Sequence, residues 1–203
     1  MCFTQKLRGM FSDAASLWHF GNVPFSNVQW ILRGSGVKRG LLMPTAAVRN
    51  VTDISMELIR KLDIDAILLD VDNTLAPPTS HIAYEGVHEW IAMLKENHIA
   101  VVICSNNYKK RVKPFSDSVG LDCVSMSLKP FPFGFNRAKK KLKEKPQSVL
   151  VVGDQIYTDV LGANLAGMKS VLLVPRDEEH GLTIGIRRKL EVNVRKKIKI
   201  MGE

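Results

Sequence analysis

The chain has 203 residues, of which 45% are hydrophobic and 24% are charged, and its formal net charge is +9. This composition is typical of a folded domain and excludes an intrinsically disordered protein. Three cysteines at unrelated spacings indicate neither a disulfide framework nor a zinc site, and they fit a reducing compartment. No apolar run approaches the roughly 18 residues that a membrane-spanning helix needs.

The positive excess lies at the two ends of the chain. Residues 1–42 hold five basic residues and one acid, residues 181–203 hold seven and two, and residues 43–180 hold 17 of each. We therefore expect an N-terminal basic and aromatic extension over 1–42, a neutral core over 43–180 and a basic C-terminal segment over 181–203. Basic ends suit an anionic partner, either a lipid surface or nucleic acid, and they equally suit solubility alone.

The N-terminal residues bear on where the protein resides. The first twenty residues lack a continuous hydrophobic segment and a small-residue cleavage site, which argues against secretion and favours a cytoplasmic protein. Asp13 is the only acid among residues 1–42. Because transit peptides are poor in acids, this composition leaves mitochondrial targeting open.

From residue 63 onward, short apolar runs alternate with longer helical patterns. The strong strand candidates are residues 66–70, 100–105, 148–154 and 170–175, and a weaker one lies at 121–126. The helical patterns cover 84–98, 109–120 with a break near Pro114, 133–145, and 158–167 with an end at Gly167. This alternation predicts an α/β fold with a doubly wound parallel sheet that is covered on both faces.

Three of the four strong strands end in polar residues, namely Asp70, Ser105 and Asp154. Ligands of such sheets bind beyond the carboxyl ends of the strands, so these side chains mark a candidate site. A second acid follows each aspartate closely, Asp72 after Asp70 and Asp159 after Asp154. Acids buried together are costly without a cation, and an all-oxygen ligand set suits Mg²⁺ better than zinc.

Two further stretches supply groups that bind phosphate. "CSNN" (104–107) offers the Ser105 hydroxyl and backbone amides at Asn106 and beyond, and "LKP" (128–130) offers the compact positive charge of Lys129. A metal ion, a lysine and amides around a carboxylate stabilise the charge of a transferring phosphoryl group. Each signal is weak alone, but the four in this order on one α/β pattern indicate phosphoryl chemistry.

These motifs resemble those of phosphatases of the haloacid dehalogenase (HAD) superfamily, and the resemblance covers about residues 43–190. It implies a Rossmann-like fold and a Mg²⁺-dependent phosphomonoester hydrolase with an aspartyl-phosphate intermediate on Asp70. It further implies that Asp72 moves protons and that Ser105, Asn106 and Lys129 bind the substrate phosphate. The implied metal ligands are Asp70, Asp72 through its carbonyl, Asp154 and Asp159.

The spacing between motifs bears on the substrate. The intervals from Asp70 to Ser105 and from Lys129 to Asp154 are each filled largely by one helix, which leaves no room for an inserted cap domain. We expect a capless, open site that favours large substrates. Residues 152–175, with "DVDNTL" and "CSNN", resemble the YqeG-type subclass IIIA branch, which is similar to the phosphatidylglycerophosphate phosphatases of phospholipid biosynthesis.

Several alternatives stay open at this stage. The substrate could be a phosphorylated lipid, a nucleic-acid end, a phosphoprotein or another metabolite, and a non-enzymatic RNA- or ribosome-binding protein is the competing class. Ile186, Leu190, Val194 and Ile198 recur every fourth residue with basic residues beside them. That pattern fits a helix lying on an anionic membrane and fits equally a helix packed on the domain.

Overall fold

The computed structural model describes residues 40–142, 146, 148–177 and 182–202. The predicted N-terminal extension over residues 1–42 therefore lies outside the described residues, except for residues 40–42. The strands are β1 (Ala46–Val48), β2 (Ala66–Leu69), β3 (Ala100–Cys104), β4 (Asp122–Val124), β5 (Val149–Gly153) and β6 (Lys169–Leu173). The α-helices are α1 (Met56–Lys61), α2 (Val87–Glu96), α3 (Lys109–Ser118), α4 (Pro132–Lys139), α5 (Leu161–Leu165) and α6 (Leu182–Arg195).

The six strands form one parallel sheet in the order β1-β6-β5-β2-β3-β4. From β2 the chain builds outward through β3 and β4, then crosses back to add β5 and β6 on the other side. The predicted doubly wound α/β fold is confirmed. The strand order reverses between β2 and β5, and that switch point is where ligands of such sheets bind.

Burial on both faces explains the apolar strand runs. All four side chains of β2 are inaccessible to solvent. Ala66 and Leu68 pack in one cluster with Phe135 and Ala138 of α4, and alternation along the strand turns Ile67 to the opposite face. A strand with two covered faces needs apolar residues at every position, which is the pattern in the sequence.

The predicted break in α3 at Pro114 is wrong, because the helix runs through that residue from Lys109 to Ser118. A proline inside a helix removes one backbone hydrogen bond and crowds the preceding turn. Val112 and Phe115 lie on either side of it and are fully buried. We attribute the continuous helix to the burial of these two side chains, which outweighs the local cost.

Two short elements and several boundaries differ from the prediction. β1 and α1 were not predicted, and the helical pattern at 133–145 ends as α-helix at Lys139. The pattern at 158–167 is a π-helical turn, Ile156–Val160, followed by α5. Gly167 ends this region with φ +68°, the left-handed conformation that glycine adopts after a helix.

The C-terminal helix packs on the domain through part of its apolar pattern. Val194 and Ile198 lie against a buried cluster that includes Ala47 and Leu172. The Met201 backbone amide then donates to the Ala47 carbonyl at 2.8 Å. Farther forward on the helix, Ile186 and Leu190 are 60% and 56% exposed. Among the helices of the described residues, none is long and apolar enough to cross a membrane.

Candidate active site

A tight turn after β2 brings Asp70 and Asp72 into one region. The strand ends at Leu69, and Asn73 takes a left-handed backbone with φ +56°. The Asn73 amide donates to the Ala76 carbonyl at 2.9 Å, which folds the chain back on itself. Both aspartates are only 8% exposed. The turn removes the strand alternation that would have pointed their side chains in opposite directions.

Asp72 is held by two side chains from the region after β3. Asn107 Nδ2 donates to Asp72 Oδ2 at 2.6 Å, and Arg111 Nη2 donates to Asp72 Oδ1 at 2.7 Å. The Thr79 amide adds a contact at 3.3 Å. Neither Asn107 nor Arg111 was predicted as a site residue. Arg111 stands 39 residues from Asp72 on a helix, so no local pattern marks it, whereas Asn107 lies within the "CSNN" motif.

Lys129 lies between two carboxylates at the carboxyl edge of the sheet. Its Nζ is 2.6 Å from Asp159 Oδ1 and 3.1 Å from Asp70 Oδ1, and its side chain is 2% exposed. Burial alone would lower the pKa of Lys129, but the charges of Asp159 and Asp70 outweigh it and raise the pKa. The lysine is therefore fully protonated in the site.

Asp70 is a carboxyl group in a buried, acidic environment. Burial raises its pKa to about 6, Lys129 opposes this shift, and the charges of Asp159 and Asp72 add to it. Among the described residues no hydrogen bond reaches Asp70 Oδ1, although Lys129 lies nearby. This oxygen is therefore available to a ligand or a reacting atom.

Asp70, Asp154 and Asp159 form a buried acidic cluster that can hold a metal ion. One carboxylate oxygen from each lies within 4.8 Å of the others. Gly153 permits this approach, because a Cβ at that position would lie 2.3 Å from Asp159 Cγ. Three buried carboxylates this close together fit a hard divalent cation. Gly153 thus serves the site by being small.

Helix α6 contributes two arginines that hold Asp154 and a glutamate that pairs with both arginines. Arg188 forms an ion pair with the Asp154 carboxylate, and both Arg188 and Arg195 donate to the Asp154 carbonyl. Glu191 is fully buried, pairs with both arginines and accepts the Ile156 amide at 2.6 Å. These residues were not predicted as part of the site, because they lie more than 30 residues beyond Asp154.

Ser105 and Asn106 follow β3 at the same edge. Ser105 is 2% exposed, and its hydroxyl accepts the Asn107 amide at 3.3 Å. The Asn106 side chain holds the lysine loop, since its Oδ1 accepts from Ser127 Oγ and the Lys129 amide at 2.8 and 2.7 Å. Its Nδ2 donates to the Lys129 carbonyl at 3.0 Å. The structure thus places Asn106 next to Lys129, and its contact with phosphate stays a prediction.

Cys104 is close to these residues but has no activated thiolate. Burial raises the pKa of the thiol to about 11, and Lys129 only partly opposes that rise. The side chain packs in the apolar cluster with Val102 and Val124. Cys104 is therefore a core residue.

Comparison with known proteins supplies the family. Residues 27–176 match the family model described as mitochondrial PGP phosphatase. The chain belongs to this family. It is also 34% identical over 160 residues to the probable phosphatase YqeG of Bacillus subtilis, a match that covers 79% of this chain and 93% of YqeG. The predicted relationship to YqeG-type HAD phosphatases is confirmed, and the chain is a phosphatase.

Two more distant likenesses accompany the family match. The glyceraldehyde 3-phosphate phosphatase of Pyrococcus furiosus is 44% identical over 89 residues, which cover 40% of this chain and 37% of that protein. The crystal structure of a D,D-heptose 1,7-bisphosphate phosphatase from B. bronchiseptica aligns with a TM-score of 0.45 at 20% identity. That alignment covers 54% of this chain and 80% of the other, which was crystallised with magnesium and phosphate.

Proposed function

We propose that the protein is a Mg²⁺-dependent phosphomonoester hydrolase that converts phosphatidylglycerophosphate to phosphatidylglycerol through an aspartyl-phosphate on Asp70. The observation that best supports the chemistry is the position of Lys129, with its Nζ 3.1 Å from Asp70 and 2.6 Å from Asp159. The observation that best supports the substrate is the match to the mitochondrial PGP phosphatase family over residues 27–176.

In the first half-reaction Asp70 attacks the substrate phosphorus. A bond forms between a carboxylate oxygen of Asp70 and phosphorus, and the bond from phosphorus to the glycerol oxygen breaks. Asp72 donates a proton to that leaving oxygen, so that phosphatidylglycerol departs with a free hydroxyl group. Asn107 and Arg111 fix the Asp72 carboxyl group for this transfer. Lys129 stabilises the negative charge on the transferring group.

In the second half-reaction Asp72 works in the opposite direction. Its carboxylate takes a proton from water, and the resulting hydroxide attacks phosphorus. The bond between phosphorus and Asp70 breaks, which restores the carboxylate and releases inorganic phosphate. Hydrogen bonds from Asn107, Arg111 and the Thr79 amide hold Asp72 in this step as they do in the first.

The proposed metal site comprises Asp70, Asp154 and Asp159, with the Asp72 carbonyl as a further ligand. The buried oxygens of the three carboxylates within 4.8 Å of one another support it. A bound Mg²⁺ would supply Lewis-acid stabilisation of phosphoryl charge. Arg188 and Arg195 orient Asp154 toward this position by holding its carboxylate and its carbonyl.

The connection between β2 and α2 supports a large substrate. The connection from β2 to α2 consists of residues 70–86, all of them described, and it holds no added domain. Without a cap, water is excluded mainly by the substrate itself, which suits a lipid presented at a membrane. The family description also supports a mitochondrial location for this chain.

A substrate panel tests this proposal. The purified full chain is assayed for phosphate release from phosphatidylglycerophosphate, a nucleotide, a sugar phosphate, glyceraldehyde 3-phosphate and an aryl phosphate, with and without Mg²⁺. We expect the lipid to give the highest kcat/KM, activity to require Mg²⁺, and Asp70→Asn to abolish it. Asp122→Asn is the matched control, because it makes the same change on a side chain that is 68% exposed.

Other outcomes of the panel point elsewhere. A highest kcat/KM for a nucleotide or sugar phosphate would overturn the lipid assignment and leave the phosphatase chemistry in place. Activity that survives Asp70→Asn would overturn the proposed nucleophile. No phosphate release from any substrate, together with salt-sensitive RNA binding by both wild type and Asp70→Asn, would favour the non-enzymatic alternative.

A further inference from the structure

Five exposed apolar side chains lie next to the candidate active site, on the loops after β3 and β4 and on the first turn of α4. They are Tyr108, Met126, Leu128, Phe131 and Phe133, which are between 51% and 65% exposed. We call this set the rim surface. It includes every large aromatic side chain that is exposed in the described part of the chain. Single exposed apolar residues are ordinary, but a group of five beside one site is a feature of interfaces.

Backbone hydrogen bonds join the two loops that carry the rim surface. The Met126 amide donates to the Asn107 carbonyl at 2.9 Å, and the Ser127 amide donates to the Ser105 carbonyl at 3.0 Å. The Phe131 amide then donates to the Leu128 carbonyl at 2.9 Å. The loops follow the adjacent strands β3 and β4, so the rim surface lies at the carboxyl edge of the sheet, where the aspartates and Lys129 lie.

The backbone also bears on this surface. Met126 and Leu128 both have positive φ, +46° and +59°. Such conformations are uncommon for bulky residues and cost energy. Here that cost accompanies side chains that remain half exposed or more rather than side chains that fill the core. The loop is thus built to hold apolar groups outward.

The charge of the same two segments identifies the partner. Residues 105–113 and 125–137 contain six basic residues and no Asp or Glu. Arg111 and Lys129 pair with the site carboxylates and Lys113 pairs with Asp117, so the exposed positive charge comes from Lys109, Lys110 and Arg137. Lys109 and Lys110 directly follow Tyr108 and are exposed. Apolar side chains flanked by basic ones are typical of surfaces that enter the interface of an anionic bilayer. A second copy of this chain is a poor partner, because a twofold contact would set these basic segments against each other.

We propose that the rim surface docks the protein on an anionic phospholipid bilayer and so presents the active site to lipid headgroups. This deepens the proposed function and rests on a lipid substrate. It places the membrane contact on the loops after β3 and β4. Helix α6, which the sequence also offered as a membrane contact, instead uses Glu191, Val194 and the arginines to hold the domain and Asp154.

Vesicle co-sedimentation of the full chain tests the rim surface. The probes are vesicles of phosphatidylcholine with and without phosphatidylglycerol. The test variant is Phe131→Ser with Phe133→Ser, and the matched control is Ile186→Ser with Leu190→Ser, which removes two exposed apolar side chains from α6. We expect wild type and the control to bind the anionic vesicles equally. The rim variant should lose at least about tenfold in partitioning, because two aromatic side chains no longer enter the interface.

Two kinetic readouts separate docking from folding and from the proposed function. The rim variant should keep the wild-type kcat/KM for a soluble aryl phosphate and lose activity on vesicle-borne phosphatidylglycerophosphate. Equal hydrolysis of the vesicle substrate by both proteins would overturn the rim surface while leaving the proposed function intact. Strong vesicle binding without hydrolysis of that lipid would do the reverse.

A charge-reducing variant makes the test specific to anionic lipid. Lys109→Gln with Lys110→Gln should weaken binding to the vesicles that contain phosphatidylglycerol and leave binding to pure phosphatidylcholine unchanged. Two results would overturn the proposal: loss of vesicle binding only in the α6 control, or a dimer in sedimentation that Phe131→Ser with Phe133→Ser disperses.

Discussion

Asp70 is a carboxyl group whose surroundings oppose its charge. Burial and the neighbouring acids Asp159 and Asp72 raise its pKa to about 6, even though Lys129 is 3.1 Å away. A residue selected only for stability would not be a carboxylate in that position. The energy stored there is relieved when a cation or an electrophile reaches the Asp70 oxygen, which is what a nucleophile and metal ligand requires.

This cost predicts that Asp70→Asn stabilises the protein in the absence of divalent cations. The folded-state pKa of about 6 exceeds the ordinary value of 3.8, so the folded state holds the proton more tightly than the unfolded chain. Wild type therefore loses stability as the pH rises from about 4 to 6, and the loss persists above that range. At neutral pH we expect the asparagine variant to be more stable by up to about 3 kcal/mol.

The measurement is the free energy of unfolding in urea, with a chelator present, at several pH values. The difference between Asp70→Asn and wild type should vanish below pH 3.8 and grow toward pH 7. Asp122→Asn serves again as the exposed control and should show no such trend. A variant that is less stable than wild type at every pH would contradict the unfavourable environment assigned to Asp70.

Arg111 is a second residue that makes a specific contact in the site. Its Nη2 donates to Asp72 Oδ1, while its Nε and Nη1 are buried and have no acceptor among the described residues. A guanidinium group with spare donors beside Asp72, the proposed proton-transferring acid, can both fix that carboxyl group and donate to a substrate oxygen.

We therefore expect Arg111→Gln to lower kcat for phosphate release by about 10- to 100-fold, since a mispositioned acid loses much of its effect. Arg111→Lys should recover part of the loss, because it restores the charge without the fork of donors. Lys113→Gln, on the same helix but exposed and paired with Asp117, is the control. Full activity in Arg111→Gln would remove this residue from the site.

At the scale of elements, helix α6 holds Asp154, the acidic residue that follows β5. Glu191 accepts two backbone amides at the start of the π-helical turn and pairs with Arg188 and Arg195, which in turn hold Asp154. A fully buried carboxylate with this many partners is a positioning group rather than a surface charge. Two of the basic residues of the helix therefore form ion pairs with buried carboxylates, in addition to any role of the helix at the surface.

Removing the Glu191 carboxylate should lower the stability of the folded protein. Glu191→Ala leaves two arginines and two amides without their acceptor, and breaking a buried ion pair typically costs about 3–5 kcal/mol. We expect a loss of that size in the free energy of unfolding by urea. Glu96→Ala removes an exposed glutamate at the end of α2 and should change it by less than about 0.5 kcal/mol. A small effect at Glu191 would show that α6 holds Asp154 weakly.

What the sequence could predict at this scale follows from local patterns. The four continuous apolar runs became strands because both faces of the sheet are covered. The polar residues that end three of them share one edge because parallel strands share a direction. β1 has only three residues and pairs with β6 alone, so too little periodicity exists to reveal it. The contacts of Arg111 and Arg188 join elements far apart in sequence, and no pattern along one element encodes them.

For the whole molecule, the sheet separates two tasks. The acids, Lys129 and the rim surface lie at its carboxyl edge. The apolar residues on its buried faces stabilise the fold and offset the cost of burying those charged groups. Because the loops after β3 and β4 carry both Lys129 and the rim surface, a protein docked by these loops would hold Lys129 next to the lipid headgroups. Catalysis and membrane contact are then properties of the same edge of the fold.

The measurement that most directly tests the central proposal is trapping of the phosphorylated enzyme. Asp72→Asn is mixed with an aryl phosphate and Mg²⁺, quenched in acid and digested. The masses of its peptides are then measured by mass spectrometry. An aryl leaving group departs without a proton, whereas the second half-reaction still needs Asp72, so the intermediate should accumulate. We expect a phosphoryl group on the peptide that contains Asp70, and none in the double variant Asp70→Asn with Asp72→Asn. Phosphate release by wild type with no phosphopeptide, or with the label on another residue, would contradict Asp70 as the nucleophile.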